Sequence, residues 1–135
     1  MTELVRILHI EDDPSVQEVV RVSLEDVGGF TVATRSSGRD GLAAAGTFLP
    51  QLVLLDVMMP EMDGPETLAR LRALPGMKDV PVVFMTARAQ HHEVAEYLAL
   101  GAAAVITKPF DPMALPERLR ALWRDWQSPQ RDGAA

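Results

Sequence analysis

Five short runs of apolar and β-branched residues punctuate the chain: VRILHI (5–10), FTVAT (30–34), LVLLD (52–56), VPVVFMT (80–86) and AAVIT (103–107). Each is long enough for a strand and too short for a helix. The intervening segments 15–27, 38–48, 65–74, 90–100 and 112–126 carry helical periodicity, and the first sets Val16, Val19, Val20 and Leu24 on one stripe. Punctuation agrees with these limits. Pro14 stands near a helix start, Gly28 and Gly29 close that helix, Ser37 offers a cap, LPG (74–76) stops the third helix and Gly101 follows the fourth. The predicted order is β-α five times over.

Near-continuous apolar strands alternating with helices imply a parallel sheet covered on both faces. A chain of 135 residues is too short for an eightfold barrel, which leaves an α/β fold with an open, doubly wound five-stranded sheet. Such sheets take their ligands beyond the carboxyl ends of the strands. At those ends stand Glu11, Asp12 and Asp13 after the first run, Asp56 at the third, Thr86 at the fourth and Lys108 after the fifth. The second contributes only Thr34 and Arg35.

The carboxylate closing LVLLD is costly inside apolar sequence unless something pairs with it. If the strand ends lie side by side, Asp56 faces a crevice of acids, a hydroxyl and an ammonium. Clustered acids repel, so their pKa values rise or a cation joins them. Lys108 alone is too little charge for Glu11, Asp12 and Asp56, and the predicted addition is a hard divalent cation with oxygen ligands, best suited by Mg2+. No histidine belongs to the cluster, which disfavours zinc. A metal, a hydroxyl and an ammonium around one carboxylate can stabilise a transferring phosphoryl group, with Asp56 as its acceptor.

Composition narrows the classes. The length fits one domain, expected over 1–127, with a tail at 128–135 of disordered composition. Cysteine is absent, which excludes disulfides and suits a reducing compartment, and the expected location is cytoplasmic. No apolar stretch is long enough for a membrane span and no export signal is legible. A formal charge of −6 with 13 Lys plus Arg argues against direct nucleic-acid binding.

The order Glu-Asp, Asp, Thr, Lys-Pro on five β-α repeats resembles the receiver domain of two-component response regulators. The resemblance spans about residues 5–126 and implies a flavodoxin-like (βα)5 fold with strand order 2-1-3-4-5. It implies that Asp56 in LLDVMMPEMDG accepts the phosphoryl group, and that Glu11 and Asp12 in HIEDDP hold Mg2+ with Asp56 and the Met58 carbonyl. Thr86 in FMTA matches the switch hydroxyl, and Lys108 in TKPF the phosphate-binding lysine, whose bond to Pro109 is commonly cis. Gly64 matches a loop glycine, Ala87 a small residue beside the pocket, and Met58 and Arg88 two variable positions that affect phosphoryl lifetime. One departure is visible: the aromatic usual in the fifth strand is Val105.

The resemblance further implies a phosphoryl-accepting regulatory domain that catalyses only its own phosphorylation and dephosphorylation. Its partners would be a sensor histidine kinase or histidine phosphotransfer protein and a downstream effector, reached through the surface of the fourth helix, fifth strand and fifth helix. No output domain follows the run of motifs, so the signal passes by protein contact or the chain is a fragment. The last helices could also pair two copies.

Simpler readings exist for single residues. Asp13 suits a helix cap, His9 suits packing under a helix, His91 and His92 a solvated helix start, and Trp123 and Trp126 either core or a partner surface. Two other functions fit parts of the pattern. A phosphohydrolase would want an acid two residues beyond Asp56, where Met58 stands. A phosphorylation-independent interaction module would keep the fold without needing the full acid, Thr86 and Lys108 set.

Overall fold

The apolar runs become strands close to where the pattern puts them. The computed structural model describes residues 2–128, so the expected tail lies, from residue 129, outside the described residues. The strands are β1 (Arg6–Ile10), β2 (Thr31–Arg35), β3 (Leu52–Asp56), β4 (Val82–Thr86) and β5 (Ala104–Thr107). All pair in parallel, in the order β2-β1-β3-β4-β5, as the resemblance implied. β3 and β4 are buried at every position, which is why both read as unbroken apolar runs.

Side chains alternate across the sheet and fill two cores. Leu8, Ile10, Val53, Leu55, Val82 and Phe84 face α2 (Gly38–Phe48), α3 (Gly64–Arg72) and α4 (His91–Ala99), meeting Ala44, Ala45, Leu68 and Leu71. Ile7, Leu52, Leu54, Val83, Met85 and Ile106 face α1 (Pro14–Arg21) and α5 (Leu115–Gln127), meeting Val20, Leu24, Leu115 and Leu119. No helix among the described residues is long and apolar enough to cross a membrane.

Several limits move from those expected. The helix predicted over 15–27 is α-helical only to Arg21, then widens into a π-helical turn over Val22–Val27. Val16, Val20 and Leu24 recur every fourth residue, a spacing that drifts off a 3.6-residue face. The wider turn keeps Leu24 and Ser23 inside, while Val19 of the expected stripe is exposed. β2 starts late because Phe30 donates its N–H to the Leu24 carbonyl at 2.9 Å instead of joining β1, and β4 starts late because Pro81 has no N–H to give. The final helix, expected from residue 112, starts at Leu115. Asp111 first holds a tight turn by accepting from the Met113 N–H at 2.9 Å and, through its carbonyl, from the Leu115 N–H at 3.0 Å.

The caps follow the expected chemistry. Asp13 accepts from the Ser15 N–H at 2.8 Å, Ser37 from the Asp40 N–H and Asp63 from the Glu66 N–H. At the amino end of the strands, the Trp123 and Trp126 indoles donate to the carbonyls of Thr2 and Asp79, both at 2.7 Å. α4 is held differently. None of its residues is fully buried, and its main anchor is Tyr97, whose ring meets Phe84 edge to face at 5.4 Å.

Candidate functional site

β1 and β3 are neighbours; β3 ends on Asp56 and the chain leaves β1 directly into Glu11, both at the carboxyl edge of the sheet. β4 ends beside them on Thr86, and the chain leaves β5 into Lys108. The topology alone therefore brings four separated sequence positions to one crevice. Glu11, Asp56 and Thr86 are almost fully buried there, whereas Asp12 is exposed at the rim.

One ammonium serves both buried acids. Lys108 Nζ donates to Glu11 Oε1 at 2.9 Å and to Asp56 Oδ1 at 3.1 Å. Burial opposes the lysine's charge, but its bonds to the two acids more than offset that and hold its pKa above the ordinary value. Burial pushes the Glu11 carboxyl up to about 7, assisted by the charge of Asp56 and resisted by Lys108. One cation does not satisfy this cluster.

Glu11, Asp12 and Asp56 each offer an oxygen, and these oxygens lie within 4.8 Å of one another. The donor set is oxygen only, is underneutralised, and opens to solvent at Asp12. Those features fit a hard divalent cation that retains some of its water. Met58 stands two residues past the β3 end with its side chain exposed.

The rest of the crevice is positioned by local backbone. Thr86 Oγ1 accepts from the Arg88 N–H at 2.9 Å, leaving its own proton free to be donated. The Lys108–Pro109 bond is cis, as the resemblance implied. Gly64, expected to ease a turn, is required for a different reason. A Cβ there would stand 2.8 Å from both the Asp56 carbonyl oxygen and the Val57 Cα, so glycine lets α3 start directly against the end of β3. Ala87 borders the groove beside Lys108 and Pro109.

Two features had escaped the sequence reading. His9 is fully buried, as its expected place under a helix requires, yet neither ring nitrogen has a hydrogen-bond partner among the described residues. Burial, with Lys108 adding, lowers its pKa to about 3, so the imidazole is neutral. Gln17, on the first turns of α1, donates from Nε2 to the Glu11 carbonyl at 2.5 Å and to Ser36 Oγ at 3.1 Å. A half-buried glutamine inside an amphipathic helix gives no sign of such a contact until the neighbouring loop is in place.

Comparison with known proteins gives one consistent result. A family model for the response regulator receiver domain matches residues 7–120. Response regulator Rre1 of Synechocystis sp. is 36% identical over 122 residues, which cover 90% of this chain and 53% of that protein. The DNA-binding dual master transcriptional regulator RpaA of Synechocystis sp. is 38% identical over 119 residues, covering 88% of this chain and 49% of that protein. The chain thus spans about half the length of these curated relatives. Among solved structures, the chemotaxis protein CheY4 of Vibrio cholerae matches with a TM-score of 0.82 at 29% identity, covering 88% of this chain and 98% of that one.

Proposed function

Because this chain belongs to the response regulator receiver domain family, we propose that Asp56 accepts a phosphoryl group from a sensor histidine kinase or histidine phosphotransfer protein. The observation that carries the reading is Lys108 bridging Glu11 and Asp56 at the carboxyl edge of the sheet. It supplies a buried nucleophile and a cation already in reach of the oxygens that would arrive on it.

In the transfer, an Asp56 carboxylate oxygen attacks phosphorus. The P–N bond to the donor imidazole breaks, its electron pair stays on nitrogen, and the imidazole keeps or gains the proton that makes it neutral. Glu11, Asp12, Asp56 and the Met58 carbonyl would hold Mg2+, which when bound neutralises charge on the transferring group. Lys108 then exchanges its contact with Asp56 for a phosphoryl oxygen. Thr86, whose oxygen already accepts from Arg88, donates its hydroxyl proton to another. The new charge, met by these two donors, biases the surface of α4, β5 and α5 toward a second arrangement that an effector protein reads. The proposed receiver unit is 1–127, and the proposed compartment is the cytoplasm.

The test is intact mass after exposure to acetyl phosphate, with magnesium, with chelator and in Asp56→Asn. The expected result is a gain of one phosphoryl group that needs magnesium and is lost in Asp56→Asn. A parent protein that stays unmodified under every condition, including a histidine phosphotransfer donor, would overturn the proposal in favour of a phosphorylation-independent interaction module.

A further inference from the structure

Asp12 is the exposed member of the acidic set, and among the described residues no hydrogen bond or ion pair engages its carboxylate. Glu11 is aimed by its own bond to Lys108 and by the Asp13 N–H at 3.2 Å, and Asp56 is aimed by β3 and Lys108. Asp12 has only its backbone to aim it. What fixes that backbone therefore decides where its oxygens sit.

The Glu11–Asp12 peptide is fixed from outside the loop. The Glu11 N–H donates to the Arg35 carbonyl at 2.9 Å, the last tie between β1 and β2. The Glu11 carbonyl, beyond the reach of the sheet ladder, accepts instead from Gln17 Nε2 at 2.5 Å, and the same amide donates to Ser36 Oγ at 3.1 Å. The Glu11 carbonyl requires the nitrogen of the side-chain amide on this side, because it can accept but not donate. Ser36 follows Arg35 in the chain, so Glu11, Arg35, Ser36 and Gln17 close a ring of hydrogen bonds around the backbone of Glu11, one holding each peptide that flanks it. Gln17 is itself anchored, its N–H donating to the Asp13 carbonyl at 2.9 Å in the first turn of α1.

We infer that Gln17, tied to Ser36, is a positioning residue for the cation site: it holds the Glu11–Asp12 peptide plane so that the Asp12 carboxylate converges with Glu11 and Asp56. The inference rests on the reading of this cluster as a magnesium site. Groups one shell out from a metal ligand commonly act this way, and losing one typically weakens metal binding by about 10- to 100-fold. Here the backbone carbonyl, and not the ligand's own side chain, is what the outer residue grips.

The experiment is calorimetric titration with magnesium chloride of the parent, Gln17→Met and Ser36→Ala, with a thermal melt and an amide spectrum of each in chelator. Methionine keeps the length and volume of glutamine and removes both donors. The expected result for Gln17→Met is a magnesium Kd raised by about tenfold, with a melting temperature close to the parent's and amide shifts confined to residues 11–13 and 35–37. Ser36→Ala, which removes only the lateral tie at an exposed position, should fall between the two and decides the matter if Gln17→Met does not fold. Magnesium affinities in both variants within about twofold of the parent, or shifts spread across the whole sheet, would overturn the inference. A parent that binds no magnesium overturns instead the reading of the cluster, a result distinguishable because it does not involve the variants.

Discussion

Lys108 and Asp56, fifty-two positions apart in sequence, meet at 3.1 Å while the same ammonium holds Glu11 at 2.9 Å. A single cation between two buried acids leaves like charges facing one another, a repulsion that the fold tolerates at the sheet edge where the proposed phosphoryl acceptor stands.

Removing that charge should stabilise the protein. In Asp56→Asn without metal, Glu11 loses the neighbour that helps raise its pKa, and the melting temperature should rise by roughly 4 °C, about 1 kcal/mol for a domain of this size. Added magnesium should stabilise the parent more than the variant, since the variant lacks one anionic ligand. A melt in which Asp56→Asn is less stable than the metal-free parent would show that the shared lysine satisfies both acids after all.

Magnesium binding should depend on pH through Glu11. Its carboxyl is pushed up to about 7, and binding a dication requires it ionised, so affinity should climb by about tenfold per unit below pH 7 and level off above it. Titration across pH 5.5–8.5 with proton release followed in two buffers measures this directly. A flat affinity across that range would place Glu11 outside the cation's ligands.

Stability should respond to His9 in the opposite sense to Glu11. The His9 pKa falls from 6.5 to about 3 on folding, so the unfolded chain binds more protons below pH 6.5 and stability drops as pH falls, by about 2 kcal/mol at pH 5. The Glu11 pKa rises from 4.5 to about 7, so the native state binds more protons between those values and its contribution improves as pH falls through that window. The two slopes oppose each other in the parent. His9→Leu should remove one of them, and the stability difference between variant and parent should grow steadily from pH 7 to pH 5 in denaturant titrations. Parallel pH profiles would mean that the imidazole is protonated in the native state.

Gly64→Ala should damage the acceptor end of β3 without touching its side chains. The added methyl would meet the Asp56 carbonyl and the Val57 backbone at 2.8 Å, and neither can rotate away. The expected cost is about 1–3 kcal/mol, with slower acetyl phosphate labelling as the carboxylate shifts. Unchanged unfolding midpoints and labelling rates would show that α3 can slide off the strand end at little cost.

Tyr97→Leu should loosen α4 selectively. The edge-to-face contact with Phe84 is worth about 1 kcal/mol beyond area, so amide exchange in α4 should quicken by a factor of about five while β4 is unaffected. Uniform quickening through the sheet would show that α4 does not open on its own.

Most of the architecture was legible because burial on both faces writes strands as unbroken apolar runs, as in Leu52 to Asp56 and Val82 to Thr86. The acids, Thr86 and Lys108 were legible for a related reason: parallel strands carry all their carboxyl ends to one edge, so residues at run ends become neighbours. What stayed hidden depended on partners far along the chain. The π-helical turn needs the sheet surface that Leu24 must reach, and Gln17 acquires meaning only when Ser36 and the Glu11 carbonyl are beside it. The close backbone approach that requires Gly64 stayed hidden because neither periodicity nor a matched loop glycine says how near two backbones come.

The two indole hydrogen bonds at the foot of α5 fasten that helix to the segments before β1 and β4, at the end of the sheet away from Asp56. α4, which has no fully buried residue and meets Phe84 through the edge of the Tyr97 ring, has no comparable side-chain hydrogen bond to the sheet among the described residues. A structure clamped at its floor and loosely hung near its roof converts a local disturbance into relative movement between the two. The foot of α5 then acts as the stationary scale, and the displacement of α4 is the reading taken against it.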